Sequence, residues 1–248
     1  MNEHLSIVTG ASRGMGEAIA EGLFARGHRV LGISRGRSGR LEALGAEQWQ
    51  ADLADPLPAA ERLEAWLNGL DTLHAQHFAS VTLINNAGVL TPPGPIDTVE
   101  LAALSTAMRA GLEATLLLSS AFLRATRGWR SARRVLNISS GLGRRAMAGS
   151  APYCAAKAGM DNLSRAMALD EEQRPNGARV VSLAPGIIDT AMQQQLRSAD
   201  AGGFPDQKIF VDYHRAGQLA SPADAAARVI AYLERPDFGS KVLADVRD

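Results

Sequence analysis

The sequence predicts an α/β fold: a single domain with a doubly wound parallel sheet of about seven strands and helices on both faces. Three observations lead there. Short apolar runs alternate with longer helical patterns from one end to the other, the order that builds βαβ units. The first apolar run passes straight into a glycine-rich turn that opens a helix. The 248 residues contain no repeat, low-complexity tract or linker that would divide them.

The strands are expected at LSIVTG (5–10), HRVLGIS (28–34), AEQWQAD (46–52), SVTLINNA (80–87), RRVLNISS (133–140), ARVVSLAP (178–185) and KVLAD (241–245). Helical periodicity places helices near 14–26, 56–76, 97–127, 152–173 and 222–235, with a short piece near 38–45. Residues 195–218 keep neither period and contain Phe204, Phe210 and Tyr213. Long loops in compact domains tend to be lids or binding loops, so this segment is expected to cover a substrate site.

Composition narrows the function. The 26 basic and 26 acidic residues cancel, leaving no global field to attract nucleic acid or an anionic membrane. Five arginines cluster within 124–134 and read as a solvated helix end and loop. The first residues, MNEHLSIVTG, lack the features of a signal peptide, and no segment reaches the roughly 18 apolar residues of a membrane span. A cytoplasmic protein is expected. The single cysteine, Cys154, excludes an internal disulfide and is expected to pack under its helix. Histidines at 4, 28, 74, 77 and 214 offer no ligand set, so no metal is expected; His74 and His77 read as surface residues.

Glycines 10, 14 and 16 in TGASRGMGEAIAEGL stand where strand becomes helix. There they let the backbone approach a pyrophosphate held at the helix N-terminus, the Rossmann-type arrangement. Charge suggests which dinucleotide. The second strand ends in Ser34 and Arg35, and Arg13 lies inside the glycine turn. An acidic residue at that strand end would suit the ribose hydroxyls of NAD, whereas guanidiniums suit the 2′-phosphate of NADP(H). Two solvated surface arginines remain the alternative, because lysine occurs only at 157, 208 and 241.

In APYCAAKAGM, Tyr153 and Lys157 are four residues apart at a helix start and so share a face. A phenol near pKa 10 is a poor acid-base catalyst at neutral pH unless a neighbouring charge stabilises its anion. An ammonium one turn away provides that charge. Ser140 ends a strand 13 residues before the tyrosine, with Ser139 beside it as the more structural of the two.

In this order, TGASRGMG at 9–16, ADL at 51–53, NNAG at 85–88, the serine pair with YCAAK, and APGIIDT at 184–190 resemble the short-chain dehydrogenase/reductase family. The resemblance spans residues 5 to about 195. YCAAKAGMDNLSRAMALDEE and LAPGIIDTAMQQQLRS are further similar to the sepiapterin and benzil reductase branch.

The resemblance implies that Ser140, Tyr153 and Lys157 are catalytic: the serine holds a carbonyl oxygen, the tyrosine protonates it, and the lysine holds the nicotinamide ribose while lowering the tyrosine's pKa. It implies that NADP(H) lies along Gly10, Ser12, Arg13, Gly14, Met15 and Gly16, with Ser34 and Arg35 at the ribose. Asp52 and Leu53 would meet the adenine, and Asn86, Ala87 and Gly88 the middle of the cofactor. Pro185, Gly186, Ile188 and Thr190 would join Tyr153 and Lys157 around the nicotinamide. A small-molecule carbonyl substrate would rest on Ser140, Gly141, Leu142, Tyr153, Gly186 and Met192. Asp245 would either anchor it or cap the last strand.

The activity implied is NADPH-dependent reduction of a ketone or vicinal dicarbonyl. Alternatives are an oxoacyl-thioester reductase of the same fold and a non-catalytic NADP-sensing protein. A homodimer or homotetramer, formed by the helices near 97–127 and 152–173, is also implied. One position departs from the family. Gly111, in MRAGLEATLLLSS, stands where most members carry a catalytic asparagine that holds a proton-relaying water at a helix irregularity. Glycine inside a helix costs about 1 kcal/mol against alanine. Gly111 is therefore expected to open a small water-filled gap behind Lys157.

Overall fold

The structure is a computed structural model that describes residues 3–70 and 77–248. His74 and residues 71–76 of the helix expected at 56–76 lie outside the described residues. The seven expected strands form as β1 Glu3–Thr9, β2 His28–Ser34, β3 Glu47–Gln50, β4 Phe78–Asn85, β5 Ala132–Ile138, β6 Arg179–Ala184 and β7 Leu243–Asp245. They make one parallel sheet in the order β3-β2-β1-β4-β5-β6-β7.

Parallel neighbours need crossovers, and helices supply them. These are α1 Gly14–Phe24, α2 Gly39–Ala43, α3 Leu57–Gly69, α4 Leu101–Ala125 and α5 Ala151–Glu172. Three more, α6 Ala191–Arg197, α7 Gln207–Arg215 and α8 Pro222–Leu233, lie between β6 and β7. Local signals start several of them. Ser38 Oγ accepts from Leu41 N at 3.1 Å ahead of α2. Ser221 Oγ accepts from Asp224 N at 3.0 Å, with Pro222 at the first helical position of α8.

Alternation along each strand divides the core between two faces. Val8, Ile84, Leu136 and Leu183 pack with Ile19 and Leu23 of α1 and with Val229 and Ile230 of α8. Ile7, Leu83 and Val135 pack on the other side with Leu63 and Leu67 of α3, Leu118 and Phe122 of α4, and Met167 of α5. Burying each such side chain contributes about 1.5–3 kcal/mol. Strand order reverses between β1 and β4, which opens a crevice beyond their carboxyl ends.

Three expectations are corrected. The segment at 195–218 is not irregular: the end of α6 and all of α7 lie in it. Their apolar residues are too few for a period to show, yet Leu196, Phe204 and Phe210 form a cluster with Met147. Gly149, at φ +68°, makes room for it, since a Cβ there would fall 2.9 Å from Phe204 Cδ2. The arginine cluster is only partly solvated. Arg133 is buried, with its Nη1 3.1 Å from Glu171 Oε2 and its guanidinium also donating to the carbonyls of Leu123 and Asn176. Burial follows from its place on β5, a central strand, whereas Arg127 and Arg130 precede the strand and are exposed. Finally, α4 is long and apolar enough, by length and composition alone, to cross a membrane. Here it packs against α3 and α5.

Candidate active site

The turn after β1 brings the predicted phosphate residues together by close backbone approach. Gly10 has φ +67° and Gly14 has φ +61°, conformations that a side chain would strain. A Cβ on Gly16 would collide with Gly10 O and Asn86 Nδ2, so α1 can begin tight against β4 only with glycine there. Thr9 clamps the far wall: its Oγ1 accepts from Asn86 N at 3.0 Å and Ala87 N at 2.9 Å, while Asn86 Nδ2 donates to Thr9 O at 3.0 Å. Sequence reasoning did not single out Thr9 as a site residue, although it opens the TGxxxGxG pattern.

Thr190 crosses to the same turn, with its methyl 3.9 Å from where a Gly14 Cβ would stand. Met15, Leu53, Pro185 and Ile188 are buried beneath the turns. Gly186 has φ +83° and reverses the chain after β6. At the outer end, Ser34 Oγ donates to Gly36 O at 3.0 Å, holding the turn that carries Arg35. Ser12 reaches that turn as well, its Oγ 3.9 Å from where a Gly36 Cβ would lie. Arg13 and Arg35 are both exposed, and among the described residues no carboxylate pairs with either. Asp52, after β3, is exposed and accepts from Ala54 N at 3.0 Å. Free backbone, a helix start and unpaired guanidiniums fit a phosphorylated dinucleotide.

The chemical cluster lies at the ends of β4 and β5. Lys157 is 4 % exposed, and its Nζ donates to Ile138 O at 2.6 Å. Gly88, just after β4, adjoins the lysine, since a Cβ there would be in van der Waals contact at 3.8 Å from Nζ. Tyr153 lies on the same face, its ring centroid 5.7 Å from Nζ. Ser140 Oγ accepts from Leu142 N at 3.2 Å, starting the short turn Gly141–Gly143, and its hydroxyl also interacts with the Tyr153 phenol.

Burial pushes the Lys157 ammonium down to about 8, opposed by the Asp161 carboxylate. The Tyr153 phenol is pushed up by burial, with the Ser140 interaction pulling the other way. The cause is that the ring is buried, and the Ser140 hydroxyl offsets that burial only in part.

Leu142 and Cys154 are partly buried against the Phe204 cluster, so Cys154 faces that cluster and not the underside of its helix. Met192 is partly buried on α6. Asp245 ends β7 with its carboxylate taken up by Arg247, whose side chain donates at 2.7 and 2.6 Å and whose backbone N donates at 3.0 Å.

Gly111 lies in a π-helical turn, Arg109–Glu113, inside α4. The helix irregularity is present, and Gly111 faces Ala156 there. A Cβ on Gly111 would stand 3.1 Å from Ala156 Cβ, so the absent side chain lets α4 close onto α5 beside Lys157.

A parallel sheet whose switch point carries a glycine cradle, with a serine, a tyrosine and a lysine converging at the next strand ends, defines a dinucleotide-type α/β oxidoreductase. Comparison narrows this class. The short chain dehydrogenase family matches residues 5–201, and the chain belongs to that family. It is 33% identical over 236 residues to the benzil reductase ((S)-benzoin forming) of Bacillus cereus, an alignment that covers 94% of each chain. It is also 33% identical over 242 residues to the 3-oxoacyl-(acyl-carrier-protein) reductase of Vibrio cholerae, covering 94% of this chain and 90% of that one. The structure of an Agrobacterium tumefaciens protein with bound NADP superposes with a TM-score of 0.78 at 25% identity, over 99% of this chain and 95% of that one.

Proposed function

We propose that the protein is an NADPH-dependent reductase of small ketones or vicinal dicarbonyls, favouring aromatic ones, with Ser140, Tyr153 and Lys157 as its catalytic residues. The observation that carries this reading is the convergence of those three side chains beside Gly88, at the crevice lined by the glycine turn. When bound, the reduced nicotinamide supplies a hydride to the carbonyl carbon. The Ser140 hydroxyl donates a hydrogen bond to the carbonyl oxygen and aligns it. Tyr153 Oη gives its proton to that oxygen as the C–H bond forms, so the carbonyl becomes a hydroxyl and the phenolate is left to be reprotonated from water. A raised phenol pKa keeps Tyr153 protonated and ready to donate, and the Lys157 ammonium stabilises the phenolate that follows.

NADPH over NADH is supported by the unpaired Arg13 and Arg35 at the ribose end. Similarity to benzil reductase supports a dicarbonyl substrate. The partly buried Leu90, Leu142 and Tyr213 on the Phe204 cluster support a flat apolar one, with residues 195–218 as the lid. Exposed Leu116 on α4 and Leu169 on α5 support association with a second copy. An oxoacyl-thioester reductase is the second reading, favoured by the Vibrio cholerae relative.

The test is cofactor consumption with benzil, sepiapterin, small 1,2-diketones and oxoacyl thioesters, NADPH beside NADH. Turnover of the diketones with NADPH is expected. Turnover confined to carrier-bound thioesters would favour the second reading, and NADPH binding without any turnover would mark a sensor.

A further inference from the structure

Asp161 is a buried carboxylate that the mechanism above does not use. It lies one turn after Lys157 on the inner face of α5 and is 3 % exposed. Its Oδ1 accepts from Ser182 Oγ on β6 at 2.6 Å. Its Oδ2 makes no hydrogen bond and lies 3.4 Å from Arg144 Nε. Arg144 directly follows the turn that starts at Ser140, and its Nη2 donates to Ala244 O on β7 at 2.8 Å.

Gly143 completes the arrangement. A Cβ there would fall 2.9 Å from Asp161 Oδ2 and 2.9 Å from Lys157 O, so the turn can sit over the carboxylate only because that side chain is absent. One acidic group thereby joins the helix that carries Tyr153 and Lys157 to the turn that carries Ser140.

We propose that Asp161 is a positioning residue that keeps Lys157 charged and, through Arg144, holds the Ser140 turn against α5. The inference rests on the reductase reading above. A buried carboxylate is costly unless cations and donors compensate it. Ser182 and Arg144 do so, and Lys157 lies one turn away on the same helix, its Nζ bonded to Ile138 O. Burial drives Lys157 towards its neutral form, and Asp161 is the group that opposes it. The other charged or titratable groups around the pair are Tyr153 next to the lysine and, beyond Arg144, the Asp245–Arg247 ion pair. A neutral lysine could not stabilise the phenolate, so Asp161 extends the working range on the alkaline side.

Lysine at only three positions makes the test direct: in full-length protein labelled at lysine Cε, Lys157 is the signal missing from K157M. D161N keeps the size of the side chain and an acceptor for Ser182 but drops the charge. Its Lys157 signal is expected to titrate about one pH unit lower than in the wild type. The alkaline fall in kcat should move by the same amount, and D161E should largely restore both. If D161N does not fold, the smaller neutral D161S carries the same titration. An unchanged Lys157 titration in the neutral variant overturns the proposal. Should the wild type reduce no carbonyl compound, the reductase reading fails, while the lysine titration still decides whether Asp161 holds the charge.

Discussion

Lys157→Met is expected to stabilise the protein at neutral pH while removing its activity. The ammonium is buried and its pKa is pushed from 10.5 to about 8. That drop, at about 1.4 kcal/mol per unit, makes keeping the charge in the folded state cost about 3 kcal/mol. Met fills nearly the same volume without charge, but it leaves Ile138 O without its donor, which returns about 1 kcal/mol. The net gain is about 2 kcal/mol, or roughly 4–8 °C in Tm for a chain of this size.

The pH dependence has a definite sign. Below pH 8 both folded and unfolded states hold the proton, so the penalty is complete. Between about 8 and 10.5 the folded protein releases it while the unfolded chain keeps it, so wild-type stability rises with pH and the gap to the variant closes. Urea and thermal melts of both proteins from pH 6.5 to 10.5 measure this difference, in which other titrating groups cancel. A variant no more stable than wild type at pH 7, or a gap that stays constant up to pH 10.5, would refute the reasoning.

Tyr153→Phe should lower kcat by about 10²–10⁴-fold, the range for a positioned proton donor, with NADPH affinity nearly unchanged; fluorescence titration and turnover read the two separately. Arg13→Ala with Arg35→Ala should weaken NADPH binding by at least tenfold and leave NADH binding within twofold, since each charge-assisted bond to a phosphate is worth about 1.5–3 kcal/mol. Equal losses for both cofactors would place the arginines away from the 2′-phosphate. Gly111→Asn should destabilise by about 1–3 kcal/mol through overpacking against Ala156, with Ala156→Gly recovering most of it in the double variant. Additive effects in urea melts would show that the two positions do not touch.

Legibility in the sequence followed the range of the interaction. The strands and the principal helices α1, α3, α5 and α8 could be read because each carries its own period or apolar run, and the glycine turn because its spacing lies within one strand-to-helix passage. Helix α7 and its neighbours could not: in QKIFVDYHR only Ile209, Phe210, Val211 and Tyr213 are apolar, too short a run to show a repeat. Their order comes from Phe204 entering the slot beside Gly149, more than 50 residues earlier in the chain. Arg133 shows the same limit in reverse. Within an arginine-rich run it reads as solvated, yet its strand position buries it and Glu171, contributed by α5, compensates the charge.

From residues alone, the parallel α/β layout, the glycine turn and the pairing of Tyr153 with Lys157 could be derived, since all are set by neighbours within a turn or a strand. Tertiary structure decided what those groups experience. Packing of α4 on α5 set Gly111 against Ala156. Enclosure by β4, β5 and α5 set the directions in which Tyr153 and Lys157 titrate. The meeting of α5, the Ser140 turn and β6 brought Asp161, Arg144 and Ser182 together. Desolvation and the field of distant charges depend on everything that surrounds a group, and in a fold of crossovers most of those surroundings come from elsewhere in the chain.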